Sequence, residues 1–183
     1  FDPQDAYAIS KYEAENELQN INKSHNIETV IIRPPLVYGQ RAKGNLAKLR
    51  TLIKIGVPLP LASIRNLRSL VSVENLVNLI VTCINSPNAK NKEFLVSDAS
   101  AISTPDLISK IALEGGYRPR LLHCPPILLR LFFGITFQNS LFTRLCRSSV
   151  VDISHTKREL NWTPNLSTEC FINLLGDNHG DAP

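Results

Sequence analysis

The sequence has 183 residues, of which 43% are hydrophobic and 20% are charged, so it is long enough for one well-packed domain. This composition argues against a disordered or fibrous class. The formal net charge is +4, but lysines and arginines are scattered, so no nucleic-acid-binding face is predicted. The four cysteines lie far apart without a CxxC pair, so we interpret them as reduced thiols and predict no metal site.

The first half of the chain alternates between helix and strand signals. Asp2, Pro3 and Asp5 precede a predicted helix that runs to about Asn22. Residues 28–35, "ETVIIRPP", predict a strand buried on both faces of a parallel sheet, ended by the two prolines. Because ligands of open parallel sheets bind beyond the carboxyl ends of the strands, "RPPLVYG" is a candidate ligand-binding segment.

The middle of the chain predicts three more helices and two short strands. The helices are "GNLAKLRTLIKIG", "SVENLVNLIVTCINSP" with Ser72 as a weak cap, and "STPDLISKIALEGG" with Thr104 as its N-cap. The strands are "RSLVSV" and "EFLVSD", and "VPLPLASIRN" predicts an irregular loop over a site.

The last third predicts two further units. The segment "PPILLRLFFGITFQNSLF" is too interrupted to span a bilayer, which needs about 20 apolar residues. We interpret it as a helix packed on its own domain, with a membrane-surface or dimer helix as the alternative. The segment "VVDISHTKRELNWTP" predicts a strand, a turn and a helix, in which Trp162 is a packing residue.

Tyr7 and Lys11 have the spacing Y-x-x-x-K, which places a phenol and an ammonium one turn apart on a helix. Their face continues through Ala14, Leu18 and Ile21, so we predict that it is turned toward a core. Lowering a tyrosine pKa from near 10 by about three units requires roughly 4 kcal/mol of preference for phenolate. A fixed lysine supplies part of this and makes the tyrosine a usable base toward a sugar hydroxyl. The spacing alone is common, and its ordinary interpretation is a surface lysine beside a half-buried tyrosine.

Five segments resemble, in order and spacing, the extended short-chain dehydrogenase/reductase family of NAD-dependent nucleotide-sugar epimerases and dehydratases. They are "DAYAISKYEAE", "IIRPPLVYG", "GNL", "RSLVSVENLV" and "VVDISHTKRELNWTP". The resemblance implies an α/β fold, the C-terminal half of an extended reductase. It implies that residues 1–40 are the last part of the NAD-binding Rossmann domain. Residues 41–176 would be a small mixed α/β substrate domain with segments returning to the Rossmann sheet, and 177–183 a flexible tail.

The resemblance also implies roles for residues near the cofactor. Tyr7 resembles the catalytic base, and Lys11 resembles the residue that binds the nicotinamide ribose while lowering the tyrosine pKa. Pro34, Pro35 and Leu36 match the turn that lies against the nicotinamide. The cofactor is therefore expected to be NAD, and NADP is left open.

A second group of residues is implied to bind the nucleotide of the substrate. Asn45 and Leu46 match the helix start that holds the diphosphate, and Pro60 and Leu61 match the segment beside the uracil. Arg68 matches the arginine that meets the phosphates, and its forked donors suit that role. From the residues alone, Asn45 is equally a helix cap, and Arg65 is an alternative to Arg68.

The implied activity is NAD-dependent 4-epimerisation of a UDP-hexose or UDP-N-acetylhexosamine through transient oxidation at C4. One alternative is an NAD(P)H-dependent reductase of a 4-keto-6-deoxy UDP-amino sugar in surface-polysaccharide synthesis, and another is a non-catalytic nucleotide-sugar-binding relic of the fold. A UDP-sugar substrate, a homodimer and a cytoplasmic location are expected, without nucleic acid or a membrane span. Because the family's glycine-rich dinucleotide fingerprint does not occur in this sequence, we expect these residues alone to be inactive and to belong to a longer protein.

Overall fold

A computed structural model describes residues 6–25, 27–39, 45–125, 127–129 and 146–165. The chain divides into two compact units. Unit 1 comprises Phe1–Arg33, Val77–Val96 and Asp152–Thr163, and unit 2 comprises Pro34–Leu76, Ser97–Val151 and Pro164–Pro183.

Helices and short parallel strands alternate along the described chain. The helices are α1 (Ala6–His25), α2 (Asn45–Lys54), α3 (Val73–Asn85), α4 (Thr104–Glu114) and α5 (Ser154–Leu160). The strands are β1 (Val30–Arg33), β2 (Leu36–Tyr38), β3 (Leu70–Ser72) and β4 (Lys92–Leu95), and a 3-10 turn spans Pro87–Ala89. Strand β1 pairs with β4 and β2 pairs with β3, both in parallel. Because the members of each pair are separated by helix-containing connections, the predicted α/β class is confirmed.

Unit 1 is built around the β1–β4 pair. The fully buried Phe94 of β4 stacks on the ring of His155 in α5, with centroids 5.9 Å apart. Thr156 donates its hydroxyl to the Leu95 carbonyl at 2.6 Å, which ties α5 to the same strand. Trp162 is buried and donates its indole N–H to Asn78 at 2.7 Å, so the prediction that it is a packing residue is confirmed.

Unit 2 holds the larger apolar core. Helices α2 and α4 pack against each other beside the β2–β3 pair. Their buried side chains share one cluster, formed by Tyr38, Leu46, Ile53, Leu61, Ile64, Leu70, Ile102, Leu107, Ile108, Ile111, Ala112 and Leu129. Removing this apolar surface from water is the main force that holds α2 and α4 in place.

Two of the predicted boundaries are changed in the structure. The predicted strand is confirmed over Val30–Arg33 and ends at the prolines, which lack the N–H that a sheet requires. The following "LVY", expected to lie in a turn, forms β2 and joins the other strand pair. In the predicted final unit, α5 is confirmed, but the expected strand before it is reduced to an isolated bridge between Ser149 and Arg68.

The two predicted helix caps have different outcomes. Ser72 does cap α3, because its hydroxyl accepts the Asn75 backbone N–H at 3.0 Å. The prediction of Thr104 as the N-cap of α4 is wrong by one residue. Ser103 is extended and accepts the Asp106 N–H at 3.2 Å, while Thr104 is already helical.

The predicted core-facing side of α1 is wrong for this chain. Lys11, Ala14, Leu18 and Ile21 are all exposed. Glu15 instead faces the strands, where its carboxylate pairs with Arg33 at 2.6 Å and Arg33 lowers the pKa of Glu15 through the hydrogen bond. Helical periodicity located an apolar stripe, but it does not reveal which neighbour covers that stripe.

In the described ranges, no helix has both the length and the apolar character needed to cross a bilayer. Most of "PPILLRLFFGITFQNSLF" and the tail after Gly176 lie outside the described residues. The interpretations of these two segments therefore stay predictions.

Glu114, the last residue of α4, has a buried carboxylate. Both of its carboxylate oxygens are buried and have no hydrogen-bond partner among the described residues. Burial raises the pKa of Glu114 to about 7, against the opposing effect of Arg50 and Lys110. Because the folded-state pKa lies above the ordinary value of 4.5, stability is lost as pH rises from about 4.5 to about 7, and the loss is complete above that range.

We therefore expect Glu114→Gln to raise the melting temperature at pH 8 and to leave it unchanged at pH 4.5. Removing an unpartnered buried charge is worth roughly 1 kcal/mol, or about 2–4 °C for a protein of this size. Thermal melts across this pH range measure the difference, with Glu17→Gln on the exposed side of α1 as the control. An equal gain at both pH values would refute this account of the charge.

Candidate functional site

Helix α1 carries Tyr7 and Lys11 in its first two turns. Residues four apart on an α-helix lie one turn apart, so the predicted helix is confirmed at Tyr7 and Lys11, and their catalytic pairing stays a prediction. The ammonium-bearing side chain of Lys11 is exposed. Both residues lie in unit 1.

The nicotinamide-side turn predicted from Pro34, Pro35 and Leu36 lies in unit 2. Pro34 is exposed, while Pro35 and Leu36 are half-buried. Leu36 begins β2 and is the register partner of Leu70 in β3. The turn therefore leads directly into β2, and the strand paired with β2 begins two residues after Arg68.

The start of α2 provides the predicted diphosphate-binding position. Asn45 and Leu46 are its first two residues, and the first amides of a helix have no acceptor inside the helix. The N-terminus of a helix of ten residues suits an anionic group, because its partial positive charge and its first amides face outward along the helix axis. The Leu46 side chain is only 3% exposed and belongs to the core, so its available group is the backbone amide. The choice between cap and ligand contact for Asn45 stays open.

The predicted uracil-side segment contains one half-buried and one buried residue. Pro60 is half-buried, whereas Leu61 is 5% exposed and belongs to the unit 2 core. The Leu61 amide donates to the Leu59 carbonyl at 2.8 Å, and the Leu61 carbonyl accepts the Ile64 N–H at 3.2 Å, so both backbone groups of Leu61 already form hydrogen bonds within unit 2.

Arg68 is half-buried and precedes β3 by two residues. Its backbone exchanges two hydrogen bonds with Ile102, each 2.9 Å long. Burial lowers the pKa of its guanidinium, and none of the side-chain hydrogen bonds or ion pairs of the described residues satisfies that cation. An anion bound here would supply the missing partner. Arg65 is exposed to water, so the structure favours Arg68 over Arg65 as a ligand-binding candidate.

A buried polar cluster in unit 2 was not predicted from the sequence. Asp98, which is 3% exposed, accepts the Tyr38 hydroxyl at 2.5 Å, the Ser72 N–H at 3.2 Å and the Asn75 side-chain amide at 2.7 Å. Asn75 in turn accepts the backbone N–H of Asn165 at 3.0 Å. The available signal was a carboxylate three residues after the end of β4, a position where a charge requires buried partners.

The predicted site residues are divided between the two compact units. The residues assigned to the turn, the diphosphate and the uracil all belong to unit 2, whereas Tyr7 and Lys11 belong to unit 1. Arg33, at the end of β1, is paired with Glu15 and Glu93 and has a structural role in unit 1.

The parallel α/β fold and the Y-x-x-x-K spacing on α1 agree with the family that comparison with known proteins shows. The sequence profile described as the NAD dependent epimerase/dehydratase family matches residues 1–97. This chain belongs to that family. It is 44% identical over 163 residues to a UDP-glucose 4-epimerase of Vibrio cholerae, a match that covers 88% of this chain and 50% of the relative. The chain thus spans about half the length of that relative.

Solved structures confirm the fold. A UDP-glucose 4-epimerase of Thermotoga maritima, solved with UDP-glucose, matches with a TM-score of 0.72 at 20% identity over 93% of this chain and 52% of its own. A Thermus thermophilus UDP-glucose 4-epimerase solved with NAD matches with a TM-score of 0.70 at 20% identity, covering 96% of this chain and 54% of its own.

Proposed function

We propose that the complete protein carrying this sequence is an NAD-dependent nucleotide-sugar 4-epimerase that acts on a UDP-hexose or UDP-N-acetylhexosamine. The observation that carries the proposal is the 44% identity, across 88% of this chain, to a relative named UDP-glucose 4-epimerase. The half-buried Arg68 adds a local reason, because no ion pair of the described residues involves its guanidinium, and a forked cation suits the diphosphate of such a substrate.

The residues of this chain fit NAD in two places. The exposed Lys11 ammonium has three donors that suit ribose hydroxyls. The exposed Pro34, directly after β1, offers a flat apolar surface at the carboxyl end of a parallel strand, where the ligands of this fold class bind. When bound, NAD supplies the acceptor for the hydride at sugar C4 and later the donor that returns it.

Tyr7 is proposed as the base in this reaction. Its phenolate takes the proton of the sugar 4-hydroxyl while the C4 hydrogen leaves as hydride, which forms a carbonyl at C4. The same phenol returns the proton after the sugar has turned and accepted the hydride on its other face. Lys11 stabilises the phenolate through its positive charge, so the base remains effective near neutral pH.

Arg68 and the start of α2 are proposed to hold the nucleotide. Arg68 offers a forked pair of donors to phosphate oxygens, and the first amides of α2 point at the same kind of group. These contacts bind the part of the substrate that does not react. They therefore lower KM and leave the sugar free to turn between the two hydride transfers.

A homodimer and a cytoplasmic location are also proposed. The exposed apolar side chains of α1, among them Tyr12, Leu18 and Ile21, support a homodimer, because such surface is usually covered by protein. A cytoplasmic location is proposed from the family resemblance alone.

Proton NMR of UDP-glucose and of UDP-N-acetylglucosamine tests the proposed function. Each is incubated in D2O with the complete protein and no added cofactor. We expect the galacto isomer of at least one substrate to appear without deuterium at C4, because the same hydride leaves and returns. A requirement for stoichiometric NAD(P)H with a 4-keto sugar would replace the epimerase with the reductase, and no isomer from either sugar would contradict the proposal.

A further inference from the structure

Asp98 connects the two strands of unit 2 at their carboxyl ends. Tyr38 is the last residue of β2, Ser72 is the last residue of β3, and the two are register partners. The Tyr38 hydroxyl donates to one oxygen of Asp98 at 2.5 Å, and the Ser72 N–H donates to the other at 3.2 Å. A slip of one residue between β2 and β3 would break this shared arrangement, so Asp98 fixes the register of the pair.

The segment 98–102 also forms hydrogen bonds with Arg68 and with β3, which follows it. The Asp98 N–H donates to the Leu70 carbonyl at 2.8 Å, and Ile102 exchanges two bonds of 2.9 Å with Arg68. Alternate residues 68, 70 and 72 are thus all bonded to the segment 98–102. The position of the Arg68 backbone therefore depends on where Asp98 is anchored.

The carboxylate of Asp98 is held by hydrogen bonds from buried residues of unit 2. Asp98, Tyr38, Ser72 and Asn75 are each at most 3% exposed, so no water or ligand reaches the carboxylate directly. Three donors satisfy the buried charge, and loss of one weakens its hold on both strands. Asp98 can consequently influence a ligand only through the residues that it positions.

We propose that Asp98 is a positioning residue for the diphosphate of the nucleotide substrate. It sets β3, which begins two residues after Arg68, in register against β2. This inference rests on the proposed function, which assigns Arg68 to the phosphates. The cluster keeps the half-buried guanidinium at one place relative to the turn of Pro34 and Pro35. A bound UDP group would then be aligned with the cofactor side of the site without contact from Asp98.

Calorimetric titration of UDP into the complete protein tests the inference. Tyr38→Phe removes one donor to Asp98 and keeps the aromatic ring in the core. We expect it to weaken UDP binding by about fivefold to tenfold, within the range of couplings transmitted through packed networks. In the Arg68→Ala background the same change should alter the Kd by less than about twofold, because Asp98 acts through Arg68.

Thr156→Val is the matched control. It also deletes one buried hydroxyl donor, the one that binds the Leu95 carbonyl in unit 1, and should lower the melting temperature without changing the UDP affinity. In turnover assays, Tyr38→Phe should raise KM by the same factor as the Kd and keep kcat within about twofold.

Two results would overturn the inference. One is a UDP affinity in Tyr38→Phe within twofold of the unsubstituted protein, with only the melting temperature reduced. The other is the same loss of affinity in the presence and absence of the Arg68 side chain. Failure of UDP to bind the unsubstituted protein would count against the proposed function itself and would remove this inference with it.

Discussion

Tyr7→Phe is expected to lower the kcat of the complete protein about a thousandfold and to change the KM for the UDP-sugar by less than about twofold. Phenylalanine keeps the ring and the helix but cannot take the proton of the 4-hydroxyl. Binding of the nucleotide would be preserved, because the proposed phosphate contacts lie on Arg68 and α2. The expected loss is therefore confined to the chemical step.

Turnover measured by coupled assay or NMR, together with calorimetry of UDP, separates the two quantities. Tyr12→Phe is a matched control, since Tyr12 lies on the same helix five residues later and is exposed. It should retain the activity of the unsubstituted protein. If Tyr7→Phe keeps more than about a tenth of the turnover, another group is the base, and if neither protein turns over a sugar that it binds, the binding-relic alternative is favoured.

The arrangement of elements could be predicted largely from local sequence signals. The helices α1 to α4 follow from apolar periodicity and their end signals, β1 follows from a β-branched run, and β3 and β4 follow from short apolar runs. Strand β2 was missed because it is only three residues long and directly follows two prolines. Its existence depends on pairing with β3, which lies more than 30 residues away, and local propensity does not contain that information.

The site could be predicted only in part, for a similar reason. The Y-x-x-x-K pair is a local spacing on one helix, so the sequence shows it directly. Asp98 is hydrogen-bonded to Tyr38, which lies 60 residues away, and the sequence shows only an aspartate after a strand. Arg68 was the predicted phosphate residue with Arg65 as its alternative, and only the structure shows that Arg68 is half-buried and Arg65 exposed.

Because the Arg68 side chain is half-buried, its replacement by alanine is expected to have a large effect on nucleotide binding. We expect this change to weaken UDP binding about thirtyfold to a hundredfold, because a hydrogen bond to a charged group is worth about 1.5–3 kcal/mol and Arg68 offers a forked pair. Uridine, which lacks the phosphates, should bind the variant and the unsubstituted protein with affinities within about twofold. Arg68→Lys should recover only part of the loss, since an ammonium retains the charge but lacks the planar fork.

Arg65→Ala is the control that separates the effect of the location of an arginine from the effect of the net charge it carries. It removes the same net charge three residues away, from an exposed side chain that water already solvates. Calorimetry of UDP and uridine with all three variants at one salt concentration therefore separates a local phosphate contact from a general effect of charge. Equal losses for Arg65→Ala and Arg68→Ala would indicate the general effect. A loss for uridine as large as that for UDP would show that Arg68 supports the fold of unit 2 and does not bind the diphosphate.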